Sequence, residues 1–186
     1  MNKYMMAFGL LLLGLSFAKI SFDPLALRTY EGTCCAYRAT DSMLEGAYYS
    51  FYLYDGSCYS EDASISDMGR HISDLMFGDG VPGLQGTFFD MSETCAIDGP
   101  GSPECASAKQ GYYSYASMVK SELVAAKMFY YGIARQALLD AKAPYECGTT
   151  RGAALSITSE SNVLYRECLA DPIDYTCFPG GGIITP

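Results

Sequence analysis

The chain has no tryptophan, one histidine and two asparagines in 186 residues. Without tryptophan, the large aromatic volume of any core or interface falls to 16 tyrosines and 9 phenylalanines. A tyrosine ring buries apolar area while its hydroxyl seeks a polar partner, which suits it to interfaces. His71 is the only imidazole, and no Cys-x-x-Cys pair occurs anywhere. Clustered Cys/His zinc centres and thioredoxin-like redox sites both lack their ligands here. No cofactor and no metal is therefore expected. Asn162 is followed by Val163 and Leu164, so there is no Asn-x-Ser/Thr acceptor for N-glycosylation in the exported chain. Basic residues are scarce, 12 against 21 acidic, for a net charge of −9. A surface of that sign does not hold nucleic acid or anionic lipid by bulk electrostatics. Beyond residue 18 no apolar run approaches the ~20 residues that span a bilayer.

What is present begins with an export leader. Lys3 supplies a short positive region, Ala7 to Phe17 an apolar stretch, and Ser16-Phe17-Ala18 the small residues that a signal peptidase reads. Cleavage after Ala18 leaves 168 residues, enough for one domain with a real core. Loss of Lys3 takes the mature charge to about −10, from 11 basic and 21 acidic residues. The expected organisation is a signal peptide over 1–18, a single disulfide-stabilised domain over 19–177, and a flexible or docking tail over 178–186. The expected location is secreted and extracellular, or periplasmic in a bacterium.

Eight cysteines follow the leader: Cys34, Cys35, Cys58, Cys95, Cys105, Cys147, Cys168 and Cys177. An even number in an exported chain reads as a disulfide framework. Cys34 and Cys35 are adjacent, and neighbours on a helix point about 100° apart. They should therefore bond different partners and pin one helix to two segments. Cys95 and Cys105 flank a Gly-Pro-rich loop and are placed to close it locally. Spacing alone leaves the connectivity open.

Periodicity predicts a mainly α fold, a disulfide-braced helical domain with a long antiparallel helical pair. Asp23-Pro24 is a helix start, with an acidic N-cap and proline in the first turn. From there Leu27, Tyr30, Cys34, Tyr37, Asp41, Leu44, Tyr48 and Phe51 recur in steps of three and four, one face of a helix. Gly32 and Gly46 interrupt it. The helix is expected over about 24–45, with a short strand near 46–59 as the alternative for the aromatic run that follows. Further helices are expected at Ser64 to Phe77, at about 107–142, and at Ser159 to Ala170, with a short one around Phe88 to Cys95 inside a loop-rich region. The 107–142 helix has the clearest seam: Tyr112, Ala116, Val119, Leu123, Ala126, Tyr130, Ile133 and Ala137 in unbroken four-three steps. Its small residues invite a close neighbour, and the 24–53 element is the expected antiparallel partner.

Candidate chemistry is thin, and no catalytic residue is assigned. His71 sits between Asp67 and Asp74 with serines nearby, the parts of a Ser-His-Asp site without a nucleophile signature. Asp62, Asp67, Asp74 and Asp79 cluster around the same helix and are the carboxylates a hydrolase would draw on. As a calcium loop the run fails, since Asp67 stands where glycine is required and Ser73 where a bidentate Glu is required. Two features point to contact. Lys120, Lys127, Arg135 and Lys142 recur in steps of seven, eight and seven, a basic stripe within about 80° of helix surface. Tyr48, Tyr49, Tyr52 and Tyr54 cluster in sequence. Together with the glycine-rich tail, they suit a secreted non-enzymatic protein that works through protein–protein contacts or self-association, as a structural or adhesive component or an assembly subunit. The alternative is a carrier of a lipid or other small apolar ligand in a pocket of Met, Leu and Tyr. A hydrolase using His71 or an Asp pair is the third.

Overall fold

The computed structural model describes residues 23–52, 62–136 and 150–172. The leader, Tyr54, Cys58, Lys142, Cys147, Cys177, the tail and the 53–59 part of the alternative strand lie outside them, as do the side chains of Tyr52 and Asp62. The described residues form five α-helices and one π-turn: α1 Pro24–Tyr52, α2 Asp62–Phe77, α3 Leu84–Asp98, α4 Pro103–Phe129 with the π-turn Tyr130–Ala134 at its end, and α5 Thr150–Ala170. No strand occurs among them. The first helix runs past Gly46 to Tyr52, so its aromatic end is helical up to that point.

Capping begins α1 as the sequence requires. Asp23 Oδ1 accepts from the backbone N–H groups of Leu25 (2.9 Å) and Ala26 (3.3 Å), and Oδ2 meets Lys109 Nζ of α4 at 2.7 Å. The lysine's hydrogen bond, followed by those backbone N–H groups, holds the Asp23 carboxyl below the usual range. Thr33 and Thr40 are buried within α1, and their hydroxyls donate back to the carbonyls of Thr29 and Ala36 at 2.7 and 2.8 Å. Polar side chains that satisfy themselves in this way burden the core little.

Helix α1 meets every other helix, and the rest wrap around it. Taking α1 as rising, α2 and α3 together form one descending arm. Tyr37 of α1 meets Phe77 of α2 edge-on at 5.4 Å, and Tyr30 stacks on Phe88 of α3 at 5.0 Å. The arm is broken by the turn 78–83. There Gly78 adopts φ +95°, and a Cβ on it would lie 2.2 Å from the Val81 carbonyl oxygen. Only glycine fits both the dihedral and the space.

Helix α4 rises, passing Phe88 at Tyr112, Leu75 at Tyr115 and His71 at Glu122. Helix α5 descends along α1, with Ile157 against Gly46, Ser161 Oγ donating to the Ala39 carbonyl at 2.6 Å, and Cys168 bonded to Cys35. A long antiparallel pair is thus present, formed by α1 with α5 and with the α2–α3 arm. The α1–α4 pair runs parallel: Asp23 meets Lys109, and the Tyr112 hydroxyl donates to the Ala26 carbonyl at 2.9 Å. This corrects the direction expected from the seam. An apolar seam carries no polarity, whereas two chain reversals between α1 and α4 return the chain to its original sense.

Tyrosine fills the volume that tryptophan would take. Tyr30, Phe88 and Tyr112 form a contiguous aromatic centre where α1, α3 and α4 meet. Desolvation pushes the buried hydroxyls of Tyr30 and Tyr112 well above the ordinary phenol range. Two disulfides tie the described residues, Cys35–Cys168 and Cys95–Cys105. Cys34 is also disulfide-bonded, and none of the described cysteines is free. These bonds place the fold in an oxidising compartment. Among the described residues no helix is long and apolar enough to cross a membrane.

Candidate functional site

The descending α2 leaves a cleft against the upper half of α1. Its volume is about 480 Å³, and it is lined by Tyr37, Asp41, Leu44, Glu45, Tyr48 and Tyr49 from α1 and by Ile65, Ser66, Gly69, Arg70 and Ser73 from α2. The helical period puts residues 37, 41, 44, 45 and 48 of α1 on one side, and residues 65, 66, 69, 70 and 73 of α2 opposite them. Gly69 lacks a side chain, and a Cβ there would meet nothing within 4 Å. The cleft therefore owes its width partly to that glycine.

Its floor is apolar, with Leu44 and Ile65 buried. One wall carries a short polar relay. Ser73 donates to the Tyr37 hydroxyl, which in turn donates to the Asp41 carboxylate. Burial, then the neighbouring negative charge of Glu45, pushes Asp41 up to about 6, against the opposing effects of Tyr37 and Arg38. Desolvation and the Asp41 charge push the Tyr37 hydroxyl up to about 12. Tyr48 and Tyr49 meet edge-on at 5.7 Å, and Tyr49 leaves 57% of its surface in solvent. Arg70 stands at the rim, largely exposed, with its guanidinium 3.9 Å from Asp67. The result is an aromatic-walled cleft holding two carboxylates one helical turn apart.

The sequence-derived candidates divide among three places. Tyr48 and Tyr49 belong to this cleft. Lys120 and Lys127 are exposed on α4, beside the exposed Val124 and Met128. Arg135 departs from that stripe. It is partly buried, its guanidinium 6.0 Å from the centre of the Tyr131 ring and its Nε without a hydrogen-bond partner among the described residues. The π-turn explains the departure, because a π-turn inserts one extra residue and rotates everything after it by about 100°. Along the seam Ala126, Tyr130 and Ala134 are buried, so a four-residue step follows Tyr130 where the four-three pattern calls for three.

His71 is exposed on α2 outside the cleft, its Nε2 3.3 Å from Glu122 Oε2 of α4. Asp67 pairs with Arg70, and Asp79 lies exposed in the turn after α2. The structure does not gather these groups around a shared point. Among the described residues no three His, Cys, Asp or Glu side chains are grouped to hold a metal. The methionines are divided as well, with Met43, Met76 and Met91 in the packed core and Met118 and Met128 at the surface.

Sequence reasoning missed the cleft's polar lining. Asp41 and Glu45 are one turn apart on a helix, and Ser66, Gly69, Arg70 and Ser73 repeat on another. That spacing was readable, but which faces meet was not. Compared with family models, curated proteins and solved structures, the chain matches none of them.

Proposed function

We propose that the mature protein is secreted and acts by contact with a protein partner, without catalysing a reaction, and that the α1–α2 cleft is its recognition surface. The observation that carries this reading is the cleft itself: a tyrosine-rimmed recess of about 480 Å³ with Tyr49 mostly in solvent. Aromatic rings that are half buried and carry a polar edge are the usual anchors of interfaces. The disulfides and the N-terminal leader support export. The exposed Lys120–Lys127 strip of α4 offers a second contact surface on an otherwise acidic molecule.

Native mass spectrometry of the protein from its own source tests this, with the Tyr48→Ala/Tyr49→Ala variant beside it. The expected result is a multimer or a heterologous complex that the double variant fails to form. A bare monomer at every concentration, or a complex indifferent to both tyrosines, would overturn the reading. A monomer carrying a small mass released on denaturation would replace it with a carrier. The denatured chain should begin at Lys19.

A further inference from the structure

The cleft's lining points to the charge of what enters it. Two acidic groups, Asp41 and Glu45, line it from successive turns of α1, and the negative charge of Glu45 acts on Asp41. The positive groups near them are placed differently. Arg38 lies on α1 and lowers the Asp41 pKa only as the last of four influences, and Arg70, largely exposed at the rim and 3.9 Å from Asp67, is not among those influences. Tyr37, Tyr48 and Tyr49 line the same space with aromatic rings and hydroxyls. Aromatic faces beside carboxylates in a partly desolvated recess are the general chemistry of ammonium recognition. An anion would meet Asp41 and Glu45 directly. A purely apolar ligand would leave the Ser73–Tyr37–Asp41 relay and Glu45 against hydrocarbon, which is unfavourable for polar groups.

Resting on the reading of this cleft as a recognition site, we infer that it selects an organic cation: an alkylammonium group, carried either by a lysine side chain of the partner or by a small free amine. The carboxylates of Asp41 and Glu45 compensate its charge, the tyrosine rings contact its methylenes, and the Leu44–Ile65 floor receives its alkyl stem. An entering cation also removes the repulsion between the two carboxylates, so binding and burial reinforce each other.

The test uses the intact oxidised mature protein and four probes: n-butylammonium, Nα-acetyl-lysine amide, butyrate and 1-butanol. Amide chemical shifts are followed during titration. The expected result is perturbation confined to residues 37–49 and 65–73 by the two cations, with affinity falling about tenfold or more in Asp41→Asn. Glu45→Gln, at an exposed position, should weaken both cations less and serves as the second variant if the first does not fold. Binding of n-butylammonium alone identifies a free amine as the source, and binding of both identifies any unhindered ammonium, including a partner's lysine. Equal or stronger binding of butyrate or 1-butanol at the same residues overturns the cation assignment and leaves the cleft as a recognition site. Shifts in the cleft with none of the four probes overturn the cation assignment. If the Tyr48→Ala/Tyr49→Ala variant also keeps its partner, the recognition site falls with it.

Discussion

Replacing Asp41 by Asn should stabilise the protein at neutral and alkaline pH and do little in acid. Asp41 is a partly buried carboxyl whose pKa rises from an ordinary 3.8 to about 6, chiefly through desolvation and then through Glu45. Well above pH 6 it is ionised in both the folded and unfolded chains, and the folded state carries the unfavourable buried charge. Below about pH 4 it is neutral in both states and that burden vanishes. Between these limits the folded chain holds a proton that the unfolded chain has released, so Asp41's contribution to stability falls as pH rises from about 4 to about 6. A rise of this size corresponds to ~3 kcal/mol of disfavoured charge, and solvent screening of a partly exposed group lowers that to about 1–1.5 kcal/mol. Asparagine keeps the acceptor for the Tyr37 hydroxyl and removes the charge. Urea unfolding of the oxidised protein, followed by far-ultraviolet circular dichroism, should show Asp41→Asn more stable by about 1–1.5 kcal/mol near pH 8 and equal to the parent near pH 4. In thermal melts the alkaline difference amounts to roughly 2–5 °C for a domain of this size. A variant less stable than the parent near pH 8, or one whose difference ignores pH, would refute the assignment of a destabilising buried charge.

Three further outcomes follow from the packing. Gly32→Ala should stabilise α1 by ~0.5–1 kcal/mol, because a Cβ there meets nothing within 4 Å and the helix gains alanine's propensity; Gly46→Ala should lose that gain, since its Cβ would lie 2.9 Å from Ile157 Cγ1. Denaturant midpoints of the two variants check both. Loss of Cys35–Cys168, separated by 133 residues, should destabilise more than loss of Cys95–Cys105, separated by 10; loop closure sets about 5 kcal/mol as an upper value for the first and about 3 kcal/mol for the second, and unfolding of the paired Cys→Ala variants gives the order. Tyr112→Phe removes the donor to the buried Ala26 carbonyl and should cost about 1 kcal/mol at unchanged secondary structure.

How much was legible in advance differs from element to element. The Asp23 cap and the α1 face were readable because both are local: one side chain caps the turn next to it, and the 3.6-residue period is set by the chain alone. Gly46 misled, since a glycine inside a helical pattern reads as weakness; its reason is Ile157, more than a hundred residues away. Helix α3 extends to Leu84–Asp98, beyond the Phe88 to Cys95 stretch that the sequence suggests, because the glycines and prolines of the surrounding region read as loop. Helix α4 starts at Pro103, capped by Ser102 whose hydroxyl accepts from the Cys105 N–H at 3.0 Å, and α5 starts at Thr150, well ahead of the expected Ser159.

The sequence by itself determined the helical class, the oxidising compartment implied by the cysteines, and the tyrosine supply that replaces tryptophan. Each follows from composition or from spacing within one turn. Tertiary structure alone decided the parallel sense of α1 and α4, the partner of Cys35, the one-residue slip at Tyr130–Ala134, and the placing of Asp41 and Glu45 in one cleft with Ser73 and Arg70 of another helix. Those features depend on which faces of distant helices touch. The 3.6-residue period tells which residues share a face, but carries no information about the helix that will cover it.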